Sequence, residues 1–198
     1  KRVDRHDERL DYLQGNIEDN STRISANEDD IKKWADGALN NFGLSKLSAT
    51  SMVADFGAMF DTFGFKLQET TEMSKGMVER VRDLGAFFNT TSAETSEALN
   101  AIFTGNVQPL KRFGVVLTQT ALQEYAYAQG IHKKVSEMTE AEKVQLRYNY
   151  VMEKTKAAVG QYAREHDSAS TQLENFREIV KEIGVTFGEV IIPVFSPI

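Results

Sequence analysis

Residues 3–34 read VDRHDERLDYLQGNIEDNSTRISANEDDIKKW. Val3, Leu10, Ile17, Ile24 and Ile31 recur every seven residues without a slip. Taken as the a positions of a heptad, they put His6, Leu13, Asn20, Asn27 and Trp34 at d. An apolar residue every seven over this many heptads is the pattern of a left-handed coiled coil. The two Asn at d would set carboxamides between layers of Ile. A polar seam residue lowers stability but fixes register and strand number. The combination leads us to expect a parallel seam of three strands. Its expected members are Val3, Leu10, Leu13, Ile17, Asn20, Ile24, Asn27, Ile31 and Trp34. Asn20 and Asn27 would face the three-fold axis, where they can hold an ion or water. The competing reading is an amphipathic helix packed on its own domain.

Working outward, the other faces of this stretch carry dense charge of both signs, the mark of a solvated surface. Gly15 lies inside it and weakens a helix by about 1 kcal/mol relative to Ala. Gly37, Asn40-Asn41 and Gly43 break the pattern. A face of Leu47, Met52, Val53, Phe56, Met59, Phe60, Phe63 and Phe65 follows at helical spacing, capped by Ser45 or Ser48. Met73, Met77, Val81, Leu84 and Phe88 predict a helix from about Gln68 to Phe88. Thr91-Ser-Ala-Glu94 and Thr139-Glu-Ala-Glu142 are capping boxes, in which each Thr and Glu side chain satisfies an orphan backbone N–H. They predict helices from Ser92 to Phe103 and from Thr139 to about Glu165. Between them Pro109 opens a very short helix, and Thr118 caps one that ends before Gly130. A last heptad of Leu173, Phe176, Val180, Ile183, Phe187 and Val190 ends at Pro193.

No stretch alternates like a strand, so the expected fold is all-α. We divide it into a coiled-coil segment (1–36), several shorter amphipathic helices (37–137) and two long heptad-patterned helices (138–198). The remainder after residue 36 is read as either a helical bundle or an extended helical array.

The 198 residues carry a net charge of −6, which argues against binding DNA phosphates as the main task. Cys is absent, so disulfides and thiolate metal sites are excluded. No apolar run reaches the roughly 20 residues needed to span a bilayer. The chain starts at Lys1 and stops just after an apolar run, and we read it as part of a longer protein. His6, His132 and His166 are far apart and lack ligand partners at helical spacing. Asn27-Glu-Asp-Asp30 lacks the Gly and distal Glu of a calcium loop. Neither a nucleophile elbow nor a phosphate-cradling Gly loop occurs. We therefore expect no enzyme, no metal and no cofactor.

Several runs carry a family likeness. They are Phe42-Gly-Leu-Ser-Lys with Ser51-Met-Val-Ala-Asp-Phe-Gly-Ala-Met-Phe60, and Thr104-Gly-Asn-Val-Gln-Pro-Leu-Lys-Arg-Phe-Gly114. A third is Met138-Thr-Glu-Ala-Glu-Lys-Val-Gln-Leu-Arg-Tyr-Asn-Tyr-Val151, followed by Gly188-Glu-Val-Ile-Ile-Pro193. In this order and spacing, 42–198 resembles the tape measure proteins of long-tailed bacteriophages. The resemblance implies a virion protein in the lumen of the phage tail, whose helical length sets where tube assembly stops. It implies a few copies, often three, released ahead of the DNA during genome delivery. The partners it implies are the tail tube protein, tail-tip or baseplate hub proteins and tail assembly chaperones, with the host envelope and DNA met in passing. The alternative is a stalk segment of a trimeric bacterial surface fibre or adhesin. It accounts for 1–36 equally well but not for the runs after Phe42.

Overall fold

In the computed structural model, residues 4–165, 172 and 175–181 are described, with side chains at Arg9 and from Tyr12 onward in the first helix. The helices are α1 (Asp4–Asp36), α2 (Ala38–Phe42), α3 (Lys46–Thr62), α4 (Leu67–Phe88), α5 (Ser92–Phe103), α6 (Gln119–Ala128), α7 (Glu140–Lys154) and α8 (Gln161–Glu165). Short 3-10 turns occupy Pro109–Phe113, Val135–Glu137 and Lys156–Ala158. Residues 175–181 are also helical. The described residues contain no strand, and the fold is all-α.

Local chemistry accounts for most helix starts. Ser45 accepts the Ser48 N–H at 3.1 Å and opens α3. Thr118 accepts the Ala121 N–H at 3.1 Å and opens α6. Both capping boxes form: Thr91 with Glu94 at α5, and Thr139 with Glu142 at α7. In each box the hydrogen bonds to the ionised carboxylate hold the Glu below the usual range. Backbone and side chain of Thr91 do this at Glu94, whereas at Glu142 the Lys133 ammonium leads and the Thr139 N–H follows.

The body is organised on α4, which packs against α1, α3, α5 and α8. Met73, Met77, Val78, Val81 and Leu84 enter one core with Phe56 and Phe60 of α3, Leu99 and Ile102 of α5, and Val144 and Val151 of α7. That core joins 37–137 to 138–158 and reaches back to Ala35 of α1. The Phe60 ring stands edge-on to Phe65, Phe103 and Tyr148, with centroids 5.1–6.1 Å apart.

The other face of α4 grips 155–162 by polar contacts. Arg80 donates to the Thr155 carbonyl at 2.7 Å, and Asp83 accepts the N–H groups of Gly160 at 2.8 Å and Tyr162 at 3.2 Å. Arg82 donates to the Phe42 carbonyl and lies 4.7 Å above the Tyr162 ring. Burial pulls the Arg80 pKa down, and the nearby Asp83, Tyr148 and Glu79 oppose that fall. These contacts explain why the helix expected to run to Glu165 stops at Lys154. The Thr155 carbonyl turns to Arg80, and Asp83 supplies a new N-terminal cap for α8.

Candidate interaction surface

At 33 residues, α1 is about 50 Å long, and its two halves have different surroundings. In the upper half, Leu13 is 46%, Ile17 68% and Ile24 51% exposed, and Asn20 is exposed between them. Their spacing of three and four puts them on one stripe. No described residue of the chain covers this stripe. Val3 and the Leu10 side chain lie outside the described residues.

In the lower half the same stripe meets the body. Asn27 Oδ1 is 2.7 Å from Thr71 Oγ1, which also lies 2.9 Å from the Leu67 carbonyl. Ile31 and Trp34 are half-buried against the core, and Ala35 is fully buried. Trp34 Nε1 donates to Glu79 at 3.3 Å, and its ring packs 5.6 Å from Phe42. Lys75 of α4 pairs with Asp30. The structure thus separates the expected seam residues into an open group (Leu13, Ile17, Asn20, Ile24) and an engaged group (Asn27, Ile31, Trp34).

Where the two groups meet lies a groove of about 330 Å³ between α1, α3 and α4. Asn27 and Ile31 form one wall, and Val53, Ala54, Gly57 and Leu67 supply most of the apolar lining. Small side chains at 54, 57 and 58 share a face of α3 and hollow it out. The groove was not legible in the sequence, because its second wall lies on α4. Thr70 Oγ1, on a residue lining the groove, is buried without a hydrogen-bond partner.

A second apolar face lies on 175–181. This helix docks by its polar side: Tyr162 Oη donates to Asn175 at 2.9 Å, and Glu178 accepts the Ser45 N–H at 3.0 Å and the Lys181 ammonium at 2.5 Å. Phe176, Ile179 and Val180 point outward. Burial pushes the Glu178 carboxyl up, but the hydrogen bonds from Lys181, Ser48 and Ser45 together outweigh it and hold the group below its ordinary value. Leu173, Ile183, Phe187, Val190 and Pro193 of the expected last helix lie outside the described residues.

Among the described residues, no group of three or more acidic or His side chains is placed to hold a metal ion. None of their helices is long and apolar enough to cross a membrane. No family model matches the chain, and no curated protein or solved structure matches it either.

Proposed function

We propose that this chain is a structural, non-enzymatic segment of a phage tail tape measure protein, working in the tail lumen and associating with further copies of itself. The single observation that carries this reading is α1: a long continuous helix whose upper half is charged on its outer faces and bears an uncovered apolar stripe. A hydrogen-bonded helix has a fixed rise of about 1.5 Å per residue, which is what a ruler requires. A charged exterior lets it leave a tube without a hydrophobic grip on the wall. The sequence runs after Phe42 support the tail assignment by their resemblance to that family.

The body has a different part in this reading. Its helices fold back on one shared core, so its length does not scale with residue number. It serves as a docking module for tail-tip, hub or chaperone proteins, while α1 contributes to the measured rod. The association of copies runs along the open stripe rather than through Asn27, whose carboxamide is engaged by Thr71.

The test is a set of in-frame deletions and duplications of whole heptads within 4–24 of the parent protein, with tail lengths measured by electron microscopy. Tails should change by about 1.5 Å per residue removed or added. Tails of unchanged length from stable, incorporated variants would defeat the ruler reading.

A further inference from the structure

The start of α3 is capped differently from the starts of α4, α5 and α7. In those three, a Glu at the third helical position turns back and accepts the N–H of the cap residue. Glu69 accepts from Lys66 at 3.2 Å, Glu94 from Thr91 at 3.0 Å and Glu142 from Thr139 at 2.6 Å. This contact is the second half of a capping box. In α3 the third position is Ser48, which carries no carboxylate. Ser45 supplies the first half of the box by accepting the Ser48 N–H. Ser45 itself is fully buried, where an unmet N–H is costly. Its acceptor comes from 133 positions away: Glu178 Oε2, at 3.0 Å.

Glu178 does not act alone. Asn175, Glu178 and Lys181 are three residues apart, which puts them on one side of a helix. They meet successive points of the turn into α3. Asn175 Oδ1 and the Tyr162 hydroxyl close over Gly43, where an added Cβ would collide with both. Glu178 takes the Ser45 N–H, and Lys181 Nζ lies 3.4 Å from Ser48 Oγ. The other side of 175–181 bears Phe176, Ile179 and Val180, which face away from the body and add little to its hold. Seven residues are too few for a helix to persist by itself. The segment is therefore helical while docked, and polar contacts are what dock it.

We propose that 175–181 is a detachable latch, which completes the capping box of α3 from far along the chain and so locks the joint between α2 and α3. Latched, it closes over 43–48. Unlatched, Ser45 loses its acceptor, the first turn of α3 frays and the helix at 175–181 melts in the same step. The core around α4 stays folded, because Phe56, Phe60 and the apolar side chains of α4 are held by one another. Such a unit opens locally, below the cost of global unfolding. The latch depends neither on the tail assignment nor on self-association.

Amide hydrogen exchange on the full chain, resolved by residue, tests this. Glu178→Ala should speed exchange at Ser45 and at 179–181 together, by about tenfold or more, the factor for losing a charge-assisted hydrogen bond. Val78 and Val81 in α4 should exchange as before. A second variant moves the carboxylate: Ser48→Glu builds the whole capping box within α3. It should keep Ser45 protected and make that protection indifferent to Glu178→Ala. Residues 179–181, displaced from the cap, should lose theirs. If Glu178→Ala alters Ser45 alone or 179–181 alone, the two are not one latch. If Ser45 still depends on Glu178 in the Ser48→Glu background, the carboxylate is not acting as a capping-box partner. A loss that spreads to Val78 and Val81 would make Glu178 part of global stability instead. Each of these three results overturns the proposal, as would an absence of protection at 179–181 in the unsubstituted chain.

Discussion

α1 and α4 are the two longest helices described, and both carry glycine in their interior, Gly15 in α1 and Gly76 and Gly85 in α4. They stand in opposite surroundings. The upper half of α1 has no described neighbour, whereas α4 is enclosed on several sides and buries even Lys75, Arg80 and Arg82. Helix propensity does not cause the difference. Residues 13–25 of α1 are rich in Asn, Ser, Thr and Gly, which favour caps and turns over helix interiors. Neighbouring contacts decide it: α4 is held by tertiary packing, and upper α1 relies on its own hydrogen bonds. The comparison predicts that equal changes in the two regions have unequal effects.

The largest expected effect lies in the core against α4. Phe60 is fully buried and meets three aromatic rings. Phe60→Ala should lower the unfolding free energy by about 3–5 kcal/mol, read as a shift in chemical denaturation midpoint. If the loss is within the range of a surface change, the body is not held by this core. Next comes Gly76 at the middle of α4. A Cβ there would lie 2.6 Å from Tyr148 Oη and 3.3 Å from Met152 Cε. Tyr148 is braced by Phe60, so the overpacking of Gly76→Ala should cost about 1–3 kcal/mol despite the better helix propensity of Ala.

How far these surroundings were legible in the sequence can be judged residue by residue. The starts of α3, α5, α6 and α7 were legible, because a Ser or Thr and its N–H partner lie three residues apart. The buried face of α4 was legible from Met73, Met77, Val81 and Leu84. The end of α7 was not: it depends on Arg80 reaching Thr155, 75 positions away in the chain. The division of α1 was equally hidden. The heptad is as regular below Asn27 as above it, and only Thr71 and the core beneath Trp34 distinguish the halves. Coiled-coil helix and helix packed on its own domain had been competing readings, and the structure gives the second role to the lower half.

A smaller effect concerns the attachment of 175–181. Glu178 is held below its ordinary value of 4.5 in the folded chain. A carboxylate with a depressed folded pKa contributes stability above its unfolded pKa and loses it as pH falls through the folded one. Attachment at the start of α3 should therefore be intact at neutral pH and weaken in acid, below the ordinary Glu value. Protection of the Ser45 amide against hydrogen exchange, corrected for intrinsic rates, measures this directly. Glu178→Gln keeps an acceptor but no charge, and should flatten the acid dependence of Ser45 protection. If the dependence is unchanged in the variant, Glu178 is not its source.

The smallest effect, and the sharpest for the comparison, is the counterpart of Gly76 in α1. A Cβ on Gly15 meets nothing within 4 Å. Gly15→Ala therefore adds only helix propensity, about 1 kcal/mol, in an exposed helix interior. In α4 the same substitution carries a steric cost that outweighs this gain. In upper α1 no such cost exists, so amide exchange around residue 15 should slow by roughly fivefold, the factor that about 1 kcal/mol represents. The gain should remain local, because no described contact carries it to the body, and units of a structure can open separately. The melting transition of the body should stay where it is. A rise in that transition with Gly15→Ala would mean that both halves of α1 unfold with the body as one unit. The open stripe would then be less independent of the body than its exposure indicates.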